Sequence, residues 1–153
     1  MLNLESRLGK VFNEDSLQNL SDSLNEMGLP IIPYDITFAE MEQLLAYHGN
    51  QLAYLYANLD IVKNQEEELE HNAEIVYNEV YSAINKQSAD HKVATLKAIA
   101  SNNKRYLEAK SKVSQMKKIR ARVESQINGL QEQNVSLRKI ASLKGLALEK
   151  GLE

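Results

Sequence analysis

The chain has 153 residues, 43% hydrophobic and 25% charged, long enough for one domain with its own core. It holds no cysteine, no tryptophan, two prolines and six glycines, which excludes disulfides and thiolate metal sites and leaves little turn chemistry. The net charge of −3 conceals a division: residues 1–85 carry 15 acids and 3 bases, whereas residues 86–153 carry 6 acids and 15 bases.

Leu4, Leu8 and Val11, then Leu17, Leu20, Leu24 and Met27, recur at helical spacing and predict an N-terminal helical arm over residues 1–28, with Gly28 where a helix stops. The opening MLNLESRLGKVF has no uncharged apolar core of signal-peptide length, and no apolar run reaches bilayer length. A soluble cytoplasmic protein is expected, in the host cytoplasm if the gene is viral, with no membrane partner. Residues 29–36, with both prolines, predict an extended connector.

Thr37 and Glu40 then form a capping box, with Ile36 and Met41 spaced as a hydrophobic staple. Downstream runs a seven-residue repeat through Phe38, Met41, Leu45, His48, Leu52, Leu55, Leu59, Val62, Glu66, Leu69, Ala73, Val76, Val80 and Ala83. It predicts a helix over about 37–86, roughly 70 Å long at 1.5 Å per residue, interrupted in its seam by His48 and Glu66 and weakened locally by Gly49. Polar residues in such a seam select helix alignment.

NKQSAD, residues 85–90, predicts a turn in which Ser88 or Asp90 caps a second long helix over about 90–149. Its stripe passes through Val93, Leu96, Ala100 and Leu107, with Ile99, Tyr106 and Val113 beside them, then Met116, Ile119, Val123, Ile127, Leu130, Leu137, Ala141 and Leu148. Gly129 is placed to bend it, and Gly145 with Gly151 to fray its end. The expected fold is all-α: a long antiparallel helical hairpin or coiled coil, residues 37–153, with a short N-terminal arm. Wide apolar faces on such a rod predict a homo-oligomer.

Enzymatic chemistry finds no support. The sequence has no glycine-rich phosphate loop, no thiol nucleophile and no triad spacing. Glu68 and His71 in EEELEHNAE form one Glu-x-x-His pair, whereas a di-metal bundle needs two such pairs and two further glutamates, so a solvated acidic face is the expectation. No catalytic residue, metal or cofactor is assigned.

NNKRYLEAKSKVSQMKKIRAR, residues 102–122, contains eight Lys or Arg residues against Glu108 alone. With a turn near residue 89, EEELE at 66–70 falls opposite Lys110 and Lys112, while Lys117, Lys118, Arg120 and Arg122 face residues 56–61, where Asp60 is the one acid. The residues so left without acids, with Lys104 and Arg105, are the candidate contacts to a phosphate backbone, and Asn102, Asn103 and Tyr106 could add polar or stacking contacts.

Residues KVATLKAIASNNKRYLEAKSKV through VESQINGLQEQNVSLRKIASLKGLALEKG resemble the C-terminal half of the phage UvsY-type recombination mediators, over about 60 residues. Leu137 and Arg138 match a Leu/Arg position of that family by order. The resemblance implies a non-enzymatic, ring-like oligomer that binds single-stranded DNA nonspecifically and helps load a RecA-like recombinase onto strands covered by a single-strand-binding protein. HNAEIVYNEVYSAINK departs from the family: it is acidic and lacks glycine where a basic element is expected, which moves DNA contacts to Lys104–Arg122. The alternatives are an architectural coiled coil or protein-interaction module whose charges pair helices, and an inhibitor whose acidic half imitates DNA before a host DNA-processing enzyme.

Overall fold

The computed structural model describes residues 14–29, 31–33, 35–88 and 90–151, with side chains from residue 19 onward. Within them lie four helices and no strand: α1 (Glu14–Glu26), α2 (Phe38–Gln87), α3 (Val93–Ser101) and α4 (Lys104–Glu149). The expected helix through Leu4, Leu8 and Val11 falls outside the described residues. The chain divides into two compact units, one built from residues up to Leu59 and from Arg122 onward, the other from Asp60–Ala121.

In the first unit α1 stops before Gly28, as expected, but without a left-handed glycine: Gly28 N donates to Glu26 O at 2.8 Å, and among the described residues the one glycine at positive φ is Gly151 at 64°, just beyond α4. Leu20 and Leu24 are buried. Gln126 Nε2 donates to Met27 O at 2.7 Å and satisfies a carbonyl at the end of the arm. A Cβ on Gly129 would lie 2.7 Å from Leu29 Cδ1, so the missing side chain is the seat of Leu29, and α4 continues through it.

α2 begins where the capping box places it. Thr37 N donates to Glu40 Oε2 at 2.8 Å, and Glu40 N donates to Thr37 Oγ1 at 3.2 Å. Ile36, Met41 and Leu137 form one buried cluster, with Leu45, Ile140 and Ala141 packed around it. The hydrogen bond from the Thr37 backbone holds the Glu40 carboxyl below its usual range. A lowered folded value stabilises above the unfolded pKa and is lost as pH falls through the folded one. Thr37→Ala keeps the backbone donor but removes the Oγ1 bonds to Glu40 N and Glu40 Oε2. It is expected to lower stability by about 1 kcal/mol at pH 7, with the part owed to the Oγ1–carboxylate bond fading in urea titrations as pH falls through the carboxylate range and the part owed to the Glu40 N–H remaining. A difference that stays constant on acidification contradicts a contribution from the bond that Thr37 Oγ1 donates to the Glu40 carboxylate.

Along α2 the predicted seam is realised unevenly. Met41, Leu55, Leu59, Val62, Ala73 and Val80 are buried, Leu45, Leu52, Leu69 and Val76 half-buried, and Phe38 and Ala83 exposed. On α4 the buried set is Val113, Met116, Val123, Ile127, Leu130 and Leu137, with Ala109, which the stripe did not include. Leu107 and Leu148 were expected in it and are half exposed at 51% and 57%.

The second half of the chain is not one helix from residue 90. His91 N donates to Ser88 O at 3.0 Å in a turn, and α3 starts with Lys92 at its N-cap without a side-chain bond, so neither Ser88 nor Asp90 caps it. Asn102 ends α3, its Nδ2 donating to Ala98 O at 3.0 Å. Asn103 Oδ1 then accepts from Arg105 N at 3.0 Å, the bond of an asparagine N-cap that starts α4. Asn102 and Asn103 are thus occupied in making a helix boundary.

Candidate functional site

The basic residues 104–122 occupy α4, and their charges are set by what α2 and α1 place beside them. Within the second unit, Lys117 Nζ lies 2.6 Å from Glu70 Oε1 and 4.0 Å from Glu66, and Arg120 Nη1 lies 3.1 Å from Glu66. Arg105 meets Glu79 at 3.1 Å, and Lys104 stands 3.8 Å from Glu108 one helical turn on. The Lys117 ammonium donating to Glu70 holds that carboxyl low and its own pKa high.

This corrects the expected register. EEELE makes its ion pairs with Lys117 and Arg120, which the sequence had left opposite residues 56–61, while Lys110 acts on Glu70 only at longer range. The reason is α3: its nine residues lengthen the turn, so the residues of α4 opposite a given point on α2 come later in the chain. Glu66 belongs to the seam, 5% exposed, and its burial is compensated by two cations at the rim.

Arg122, in the first unit, has neutral partners. Its Nη1 donates to Ser21 Oγ at 3.0 Å and its Nη2 to Asn25 Oδ1, both on α1. Of the six candidate DNA contacts, Lys118 is the one with no partner among the described residues. Lys112 on the same helix is likewise exposed and unpaired there.

Two residues that the sequence placed in the apolar stripes take up specific partners. His48 is fully buried, and its Nδ1 lies 2.7 Å from Asn134 Oδ1, so the ring is held by an amide 86 residues away; its Nε2 is buried without a hydrogen-bond partner. In the second unit Tyr77 and Tyr106 meet with ring centroids 5.1 Å apart, above the facing pair Ala73 and Ala109. Ala73 and Val113 floor a shallow groove of about 280 Å³ beside the two tyrosines, flanked by Glu70, Glu74 and Lys110. Tyr106 is thus a packing residue with one half-open face.

Among the described residues no group of three or more His, Cys, Asp or Glu is placed to hold a metal ion; Glu68 and His71 are both exposed. No helix among them is long and apolar enough to cross a membrane. Comparison of the chain with protein families, curated proteins and solved structures finds no match, so its function is read from its own geometry.

Proposed function

We propose that the chain is a non-enzymatic, cytoplasmic helical interaction module in which α2 and α4 form an antiparallel hairpin that associates with further copies of itself. One observation carries this reading: the cations that the sequence offered to DNA are spent on the protein, Lys117 and Arg120 on Glu66 and Glu70, Arg105 on Glu79 and Arg122 on α1. Within each unit the partners also run in opposite order, Met41 with Leu137 and Tyr56 with Gln131 in one, Glu66 with Arg120 and Glu79 with Arg105 in the other. Exposed apolar side chains, among them Ile75, Leu107, Val135 and Leu143, support association with a partner surface.

A second reading keeps a specific observation in its favour, the unpaired and exposed Lys112 and Lys118. It is that of a recombination or replication accessory protein that binds single-stranded DNA nonspecifically and assists loading of a RecA-like recombinase or exchange with a single-strand-binding protein. Light scattering over 1–100 µM concentrations set by the experimenter, with and without a labelled oligonucleotide at two salt concentrations, separates the two. Oligomers without DNA, and oligonucleotide binding no weaker in Lys112→Gln/Lys118→Gln than in wild type, support the module. Strong, salt-steep binding by wild type that becomes shallower in this variant, whose intrachain ion pairs are intact, transfers the function to DNA.

A further inference from the structure

The second unit presents two outward faces that complement each other. On α2, Glu68 and Ile75 are seven residues apart and share a face turned away from the seam; on α4, Leu107 and Lys118 are eleven apart and likewise share an outward face. Ile75 and Leu107 are 43% and 51% exposed, large apolar side chains left in water. Neither Glu68 nor Lys118 has an ion pair within the described residues. Each of these two faces therefore offers one exposed apolar residue and one charge without an ion pair among the described residues, and the charges are of opposite sign.

Their heights along the unit also agree. Ala73 packs in one cluster with Ala109, and Glu79 pairs with Arg105, so Ile75, between Ala73 and Glu79, is level with Leu107, between Ala109 and Arg105. Glu66 pairs with Arg120 and Glu70 with Lys117, so Glu68 is level with Lys118 by the same bracketing. A second copy set beside the first in the same orientation brings its Leu107 to Ile75 and its Lys118 to Glu68 at once. Placing two α2 faces together in parallel instead sets carboxylate against carboxylate.

We propose that copies of this chain associate face to back through the second unit, the α2 face around Glu68 and Ile75 of one copy meeting the α4 face around Leu107 and Lys118 of the next. Such a contact is heterologous, so it does not close at two copies and continues into a ring or an open array. It rests on the self-association proposed above and specifies its surface, and it withdraws Lys118 from any nucleic acid while the assembly persists.

The test is sedimentation velocity on the full chain at low and high salt, for wild type, Glu68→Lys, Lys118→Glu and the double reversal. Circular dichroism should show the same helix content in all four, because both side chains are exposed and outside the intrachain pairs. Wild type is expected to form species larger than a dimer that dissociate as salt rises; each single reversal should weaken association about tenfold or more by setting like charges together. The double reversal, and a mixture of the two single variants, should restore it. Association that is equal in wild type and both single variants, or that the double reversal fails to restore, overturns the face-to-back contact alone. A wild-type chain that is monomeric throughout overturns it together with the self-association on which it rests.

Discussion

Replacing Leu137 by alanine is expected to lower the free energy of unfolding by about 2–5 kcal/mol, the range for removing a fully buried leucine from a packed interior. Leu137 is 0% exposed and joins Ile36 and Met41 in a cluster that also fastens the capped start of α2. The loss should appear in urea unfolding as a lower midpoint with an unchanged slope. Leu143→Ala, six residues on in the same helix and 67% exposed, supplies the comparison, with an expected change within about 0.5 kcal/mol. Equal losses from the two substitutions would place the core of this unit elsewhere.

The second large effect comes from the seam charge. Arg120→Ala leaves Glu66, 5% exposed, with Lys117 at 4.0 Å as its remaining cation. A fully buried pair broken on one side costs about 3–5 kcal/mol; because the cations here reach solvent, about 2–3 kcal/mol is expected. Adding Glu66→Leu to Arg120→Ala should recover most of that loss, since an apolar residue then fills an apolar seam. The double-mutant cycle in thermal or urea unfolding measures the coupling directly, and additive losses would mean that Arg120 acts by packing rather than by charge.

Legibility in the sequence followed the range of each interaction. The Thr37–Glu40 cap could be read because both partners sit within one turn, and the α2 repeat because burial on one face imposes a period that survives local exceptions such as His48. The division of the second half into α3 and α4 had a local signal that was read as chemistry instead of punctuation: Asn102 and Asn103 are a helix end and a helix start. The added length shifts the pairings of the second unit, because the register of two helices depends on what joins them, whereas Met41 still meets Leu137 as a turn at residue 89 places it. Lys117 and Arg120 became free cations on paper, and their actual partners were acids already in view at residues 66–70.

Other features had no readable signal at all. The hold of Asn134 on His48 and of α1 on Arg122 joins residues 86 and about 100 positions apart, and neither residue type nor spacing announces such a pair in one sequence. The exposure of Leu107 and Ile75 is likewise a property of rotation about the helix axis, fixed only when the seam opposite is known.

Gly129 gives α4 a place where ordinary helix optimisation would push a neighbouring side chain aside. In open water an alanine there would strengthen the helix by about 0.8–1 kcal/mol, yet its methyl group would enter the volume that Leu29 fills. The notch acts as a detent for the connector: sliding Leu29 by one turn in either direction would present it to a residue with a side chain. A weak point in one helix thereby fixes where a separate segment of the chain comes to rest.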